Sequence, residues 1–233
     1  MATLPEKIAP GIYRVDALAI PGAIAVFLVA ERDGWTLIDT GLAGSVPRII
    51  AAVEALGGDA ETLRRIYLTH HHPDHIGGVA GLVAWAPGVE VIAPEREAAI
   101  ISGAQPPDTS ENPLLRALTA RQQLPLHPIA RTVAAGDIVA GFRVIATPGH
   151  TLGHTSLLHE GHRLLLTIDA FGRLFREIQV GGAKPLCTDP ALARRSAAQL
   201  LDLDFTTAAL SHGPVLREGA RERLRAVVAR NNW

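Results

Sequence analysis

Thr69-His70-His71-His72-Pro73-Asp74-His75 is the most informative stretch of the chain. It follows a short apolar run typical of a strand and precedes a helical pattern, which predicts a tight loop between the two. Imidazole and carboxylate groups are the donors that suit zinc and its first-row neighbours. Because burying such groups without partners is costly, the spacing of His70, His72, Asp74 and His75 predicts a metal site.

Three further candidate ligands follow later predicted strands. His150 comes after one apolar run, Asp169 ends another, and His212 follows a third. The carboxyl ends of strands are where open sheets place their chemistry. A lone histidine after a strand is more often a satisfied polar residue than a ligand. The compact motif upstream, together with the order of these three residues, favours the ligand interpretation for each.

Strand patterns and helical patterns occur in both halves of the chain. Strands followed by helices in each half predict two related sheets packed face to face, with helices outside, which is an α/β (α+β) fold with four layers. The predicted strands are 11–15, 24–30, 35–38, 65–68, 89–93, 142–147, 155–158, 163–168 and 206–210. The predicted helices are 46–56, 76–85, 94–101, 190–201 and 217–230.

Prolines cluster between residues 103 and 130, where the strand and helix patterns are interrupted. We interpret this segment as a surface insertion within a single domain of residues 1–233, with one helix inside 112–123. A lid and an ordinary connector both fit the composition.

Charge, hydropathy and cysteine content exclude several classes. Lys and Arg number 22 against 23 Asp and Glu, and no basic tract favours nucleic acid. The longest apolar stretch, Ala23–Ala30, is too short to span a bilayer, and Met1–Lys7 lacks the layout of a signal peptide. Cys187 is the single cysteine, so no intrachain disulfide can form. These features predict a cytoplasmic protein that binds neither membrane nor nucleic acid.

In combination these motifs resemble the metallo-β-lactamase-fold superfamily. That family carries the His-x-His-x-Asp-His motif, a Pro-Gly-His-Thr segment, an aspartate at a strand end and a late histidine before glycine. The second segment is Pro148–Thr151 here, and Leu37–Gly41 matches an early family motif. The resemblance covers nearly the whole chain. It implies an αββα sandwich with metals at one edge.

The resemblance also implies how the ligands divide between two divalent metal ions. Zinc is expected, with iron and manganese as alternatives. One set is His70, His72 and His150, the other is Asp74, His75 and His212, and Asp169 bridges the two metals. True β-lactamases lack that bridging aspartate and often use a cysteine on the second metal. Since Cys187 is not at such a position, it is interpreted as structural, and β-lactam hydrolysis is disfavoured.

The implied chemistry is hydrolysis by a metal-bridging hydroxide. Two aspartates against two dications leave net positive charge, so a bridging water loses its proton near neutral pH. Asp74 is the candidate catalytic side chain, because it could also pass a proton to the leaving group. Ligating imidazoles usually donate their other N–H to an acceptor. Asp39 is the first candidate for that role, followed by Thr69 and Thr151.

The substrate is a small molecule, with a thioester or a lactone as the first hypothesis. Glyoxalase II enzymes carry a late basic cluster, whereas Lys184 stands alone here. Quorum-quenching lactonases place a tyrosine shortly after the bridging aspartate, and Asp169–Arg173 has none. The alternatives are a mononuclear iron oxidoreductase like the persulfide dioxygenases, and a phosphodiesterase or nuclease of the same fold. Apolar residues after Asp169 suit either an acyl pocket or a homodimer contact; they are Phe171, Leu174, Phe175 and Ile178.

Overall fold

The computed structural model describes residues 4–109, 116, 124–182 and 184–231. Contacts divide the chain into two units. The first unit is Met1–Gln105 with Leu124–Val133, and the second is Pro106–Gln123 with Ala134–Trp233. The segment predicted as an insertion, 103–130, is therefore divided between them. The single domain predicted for residues 1–233 stays a prediction.

The first unit is a seven-stranded sheet whose strands lie in chain order. Strands β1 to β4 pair antiparallel, and β4 to β7 pair parallel. The strands are β1 (Glu6–Ala9), β2 (Ile12–Asp16), β3 (Ala25–Glu31), β4 (Gly34–Ile38), β5 (Leu63–Tyr67), β6 (Glu90–Pro94) and β7 (Arg131–Val133). The helices are α1 (Val46–Ala55), α2 (Pro73–Ile76), α3 (Val79–Trp85) and α4 (Glu95–Ile101).

The parallel half of this sheet determines where its polar residues gather. Strands β4, β5 and β6 run in the same direction, so their carboxyl ends share one edge. Asp39 follows β4 directly, the histidine loop follows β5, and α4 follows β6. Apolar residues of β3 to β6 and of α1 to α4 form the core behind this edge.

Two glycines bring the histidine loop close to the loop after β4. A Cβ atom at Gly77 would lie 2.9 Å from Leu42 Cα, and one at Gly78 would lie 2.4 Å from the Thr40 carbonyl oxygen. The Gly78 N–H also donates to Thr40 Oγ1 at 3.1 Å. The helix predicted over 76–85 is therefore interrupted at these glycines, and α2 and α3 are separate helices.

The second unit is a six-stranded sheet in the order β15-β14-β11-β10-β9-β8, with a separate hairpin formed by β12 and β13. Strands β11 and β14 pair parallel, so their carboxyl ends also share one edge. The strands are β8 (Ile138–Val139), β9 (Phe142–Ala146), β10 (Thr155–His159), β11 (Leu164–Ile168), β12 (Phe171–Leu174), β13 (Glu177–Val180), β14 (Thr207–Leu210) and β15 (Val215–Leu216). The helices are α5 (Pro190–Leu200) and α6 (Ala220–Arg230).

Helix α5 begins as its sequence predicts. Asp189 Oδ1 accepts the Leu192 N–H at 2.8 Å, and Pro190 occupies the first helical turn. The final helix begins later than the predicted residue 217, because Val215–Leu216 pairs with β14 and a turn follows. The helix predicted within 112–123 lies outside the described residues, Arg116 apart. No helix in the described part of the chain is long and apolar enough to cross a membrane.

Candidate metal centre

The histidine loop of the first unit presents its donors as two pairs. His70 Nε2 lies 3.2 Å from His72 Nδ1. The short helix α2 carries the second pair, in which Asp74 Oδ2 lies 3.9 Å from His75 Nε2. These are the same pairs that the family pattern assigns to two different metals. His70 and His75 are buried, whereas the Asp74 side chain is 31% exposed.

Asp39 holds two parts of this loop at once. Its Oδ1 accepts the Thr69 backbone N–H at 2.8 Å, and its Oδ2 lies 2.8 Å from His75 Nδ1. A carboxylate can only accept, so the His75 proton is on Nδ1 and the Nε2 lone pair is directed away from Asp39. Asp39 itself has a φ of +61°, a left-handed conformation that aspartate tolerates better than most residues. This geometry matches the predicted role of Asp39.

Thr69 extends the same arrangement to His70. The Thr69 hydroxyl donates to Asp39 Oδ2 at 2.9 Å and lies 3.0 Å from His70 Nδ1. Because its proton is used on Asp39, the hydroxyl oxygen accepts from His70 Nδ1. That leaves the Nε2 atom of His70 as the donor available to a metal. One buried carboxylate thus fixes the tautomers of two candidate ligands.

Asp169 is the centre of the ligand group in the second unit. Its Oδ2 lies 3.3 Å from His150 Nε2 and 3.4 Å from His212 Nε2. The Asp169 and His150 side chains are almost fully buried, while that of His212 is 22% exposed. Both imidazole nitrogens lie close to the same carboxylate oxygen. The structure therefore brings the three downstream candidates together.

The end of β11 is distorted where it presents Asp169. Ile168 has a φ of +51°, and the pairing of β11 with β14 shifts register between Leu166 and Ile168. A left-handed conformation is rare for a β-branched residue and costs on the order of 1–3 kcal/mol. Such irregularities redirect a side chain at the end of a strand. Ile168 is fully buried, so the surrounding core holds this conformation in place.

His154 supports Asp169 from behind. Its Nε2 accepts the Asp169 backbone N–H at 3.1 Å, and its Nδ1 lies 2.8 Å from the Thr147 hydroxyl. That hydroxyl also lies 3.0 Å from Ser156 Oγ, which donates to the Thr167 carbonyl oxygen at 2.9 Å. The position of this histidine beside a predicted strand fits either the core or a role behind a ligand. The hydrogen bond to Asp169 identifies the supporting role.

The loop that carries His150 is fixed through its backbone. Gly149 has a φ of +131°, and a Cβ atom there would lie 2.1 Å from the Ala193 backbone nitrogen. Only glycine permits that approach of the loop to α5. The Leu152 N–H donates to Asp108 Oδ2 at 2.6 Å, which ties the loop to the proline-rich segment.

Cys187 has the properties of a structural residue. It is 1% exposed, and its Sγ lies 3.9 Å from the Gly181 carbonyl oxygen. Burial raises the pKa of the Cys187 thiol to about 12, and the negative charges of Asp169 and Asp189 act in the same direction. The thiol is therefore protonated near neutral pH, in agreement with the interpretation from sequence.

The residues present fit divalent metal ions. Each unit gathers imidazole nitrogens and at least one carboxylate, and these are the donors of zinc and related metals. Thr69 engages the Nδ1 atom of His70 and Asp39 engages that of His75, which leaves their Nε2 atoms available to a metal. Outer partners of this kind are typical of ligating histidines.

Comparison with known proteins agrees with this chemistry. Residues 19–212 match the model of the metallo-beta-lactamase superfamily. The uncharacterized protein YobT of Bacillus subtilis is 32% identical over 214 residues, which cover 87% of this chain and 88% of that protein. A hydroxyacylglutathione hydrolase of Stenotrophomonas maltophilia is 36% identical over 157 residues, or 65% of this chain and 52% of that enzyme. The chain thus spans about half the length of that relative.

Solved structures with the same fold cover almost the whole chain. A metallo-β-lactamase of Cronobacter sakazakii, a mutant in its HARLDQ motif, is 28% identical with a TM-score of 0.69, covering 99% of this chain and 87% of that one. MEM-A1, a subclass B3 metallo-β-lactamase from a soil metagenome library, is 21% identical with a TM-score of 0.70, covering 98% and 94%. The predicted fold class is confirmed. The chain belongs to the metallo-β-lactamase superfamily, as a metallo-hydrolase.

Proposed function

We propose that the chain binds two divalent metal ions, with zinc as the expected metal, and hydrolyses a small thioester or lactone. The observation that carries the proposal is Asp169, whose Oδ2 lies within 3.4 Å of the imidazole nitrogens of His150 and His212. Two imidazole nitrogens close to one carboxylate oxygen support a shared-ligand role for Asp169. The full ligand set of the proposal is His70, His72, Asp74, His75, His150, Asp169 and His212.

The metals supply the reactive chemistry and the chain supplies its geometry. When bound, divalent ions polarise a carbonyl oxygen and lower the pKa of water toward neutrality. The chain's own contribution is to hold neutral imidazoles with their donor nitrogens fixed, which the contacts of Asp39 with Thr69 and His75 support. Burial of Asp39 and Thr69 keeps solvent away from those contacts.

Asp74 is the candidate side chain for proton transfer. Asp39 and Asp169 are both buried, whereas the Asp74 side chain is 31% exposed and lies 3.9 Å from His75 Nε2. A partly exposed carboxylate at the metal site could accept a proton and deliver it to the leaving thiolate or alkoxide. Asp74 therefore has two roles in the proposal, as a ligand and as the group that protonates the product.

The relatives favour the thioester half of the substrate hypothesis. Hydroxyacylglutathione hydrolases of Stenotrophomonas and Xanthomonas are 36% and 29% identical to the chain, so an acyl thioester is the first substrate class. Recognition of glutathione is not part of the proposal, because Lys184 lacks neighbouring basic residues in sequence. We expect an enzyme that recognises the acyl group more than the thiol. Cytoplasmic location stays a prediction.

The apolar residues after Asp169 do not all serve a pocket. Phe171 is fully buried in the core of the second unit, so it cannot contact substrate as the sequence allowed. Phe175 is 91% exposed at the turn between β12 and β13. Contact of Phe175 with an apolar acyl group or with a second copy of the chain stays a prediction, because single exposed apolar side chains are common on protein surfaces.

A substrate panel tests the proposal. The purified zinc-loaded chain is assayed on three carbonyl substrates. Two are thioesters of the same acyl group, one with glutathione and one with a small thiol, and the third is the corresponding lactone. A phosphodiester, a chromogenic β-lactam and a glutathione persulfide with oxygen uptake complete the panel. We expect turnover of the thioesters or the lactone, with kcat/KM for the two thioesters within about tenfold, or about 1.4 kcal/mol.

Metal-dependent cleavage of the carbonyl substrates would support the proposal. Oxygen uptake with the persulfide, in the absence of hydrolysis, would instead identify an iron oxidoreductase. Turnover of the phosphodiester alone would identify the nuclease branch of the fold. A thousandfold preference for the glutathione thioester over the small-thiol thioester would contradict recognition through the acyl group.

A further inference from the structure

Glu97 is a fully buried acidic residue that the ligand set does not use. It lies in the first turn of α4 and is 0% exposed. Its Oε2 accepts the His71 backbone N–H at 2.9 Å and lies 2.6 Å from His71 Nδ1. A glutamate is almost never fully buried unless it is paired. The pair with His71 is therefore a specific feature of the fold.

His71 occupies the position between two candidate ligands. Its backbone joins His70 to His72, and its ring contacts the His72 ring edge to face, with 5.4 Å between centroids. Glu97 engages both the backbone N–H and the ring of this one residue. Two contacts to one residue restrain its backbone and its side chain together. A change in the mobility of His71 would therefore also change the mobility of His70 and His72.

The topology explains why Glu97 reaches this loop. Strands β5 and β6 pair parallel, so the loop after β5 and the helix after β6 begin at the same edge of the sheet. The Leu68 N–H donates to the Ile92 carbonyl oxygen at 2.8 Å and continues that pairing up to the loop. Glu97 therefore approaches the histidine loop from the neighbouring strand, whereas Asp39 approaches it from the strand on the other side.

We propose that Glu97 is a positioning residue for metal binding. Through His71 it fixes the loop so that His70 Nε2 and His72 Nδ1 face each other at 3.2 Å. The inference rests on the metal site of the proposed function and is independent of its substrate. Partners behind a ligand typically change metal affinity by about 10–100-fold when they are removed. Because Glu97 acts through a residue between ligands, we expect the lower part of that range.

The test is the zinc affinity of Glu97→Gln in the full chain. Glutamine keeps the volume and one acceptor oxygen but removes the charge. Glu95→Gln is the matched control, because Glu95 is exposed in the same helical turn. Zinc affinity is measured by competition with a chromophoric chelator, and the melting temperature of the metal-free protein is recorded in parallel. We expect about tenfold weaker zinc binding for Glu97→Gln and no change for Glu95→Gln.

A purely structural role for Glu97 gives a different result. It would lower the melting temperature of the metal-free protein while leaving the zinc affinity of the folded protein within twofold of the parent. That result would overturn the inference. A parent chain that binds no zinc would overturn the proposed function as well, so the two failures are distinguishable.

A second variant keeps the test valid if Glu97→Gln does not fold. His71→Leu removes the ring contact while retaining the backbone N–H, and we expect zinc binding weakened to the same extent with an unchanged number of zinc ions. In the double variant, the loss should be smaller than the sum of the two single losses, because Glu97 acts through His71 and the two changes share the ring contact. Additive losses, or an unchanged affinity in His71→Leu, would contradict the inference.

Discussion

Asp169→Asn should lower hydrolysis by about 10³-fold, or about 4 kcal/mol of transition-state stabilisation. Asparagine keeps the shape of the side chain but presents one neutral oxygen instead of a carboxylate. His150 Nε2 and His212 Nε2 then lose the charged oxygen that lies 3.3 and 3.4 Å from them. Since that carboxylate is the proposed shared ligand, the zinc content should also fall from two to one or fewer per chain.

Asp204→Asn is the control for this substitution. Asp204 lies in the same unit, and its carboxylate is exposed beside Arg163. Surface ion pairs contribute about 0–1 kcal/mol, so activity and zinc content should equal those of the parent. Asp169→Asn with two zinc ions and near-parental turnover would show that this carboxylate is not shared between metals.

His72→Ala should reduce hydrolysis of ester substrates by at least about 10³-fold while the chain stays folded. His72 Nδ1 lies 3.2 Å from His70 Nε2, and the two rings pack with 4.8 Å between their centroids. Alanine at this position removes a donor without opening the apolar core. Steady-state kinetics and circular dichroism of the variant measure the two parts of this prediction.

The matched control for that variant is His162→Ala. His162 stacks on His159 at a turn between β10 and β11, with 4.2 Å between ring centroids, and it is not a candidate ligand. Parental activity is expected for it. Full activity in His72→Ala would place the chemistry elsewhere, whereas equal loss in both variants would indicate a general effect of removing histidine.

The sequence predicts the strands that precede the candidate ligands well, because these strands are apolar runs that are easy to recognise. Each such run, including those before His70, Asp169 and His212, forms a strand of the structure close to the predicted bounds. The compact histidine motif identifies the candidate ligands, since four donors within a six-residue stretch have no common structural role. Strands β1, β7, β8, β12, β13 and β15 were not predicted. At two to four residues each, they are too short to show a hydrophobic period.

Asp39 and Thr69 follow predicted strands and could be named as supporting residues, whereas Glu97 and His154 could not be predicted in the same way. Glu97 lies in a helical pattern, where a glutamate is expected to face solvent, and its partner His71 is distant in sequence. Only the parallel pairing of β5 with β6 brings them together. His154 is similar, because its role depends on a hydrogen bond to the Asp169 backbone across neighbouring strands. Local patterns carry no information about contacts of this kind.

The metal content of the purified full chain tests the central claim most directly. The chain is expressed in medium supplied with zinc, iron and manganese, and its metals are counted by mass spectrometry before and after chelation. We predict two divalent ions per chain, predominantly zinc, with hydrolysis lost on chelation and restored by zinc. A single iron per chain, or full hydrolysis by metal-free protein, would contradict the account.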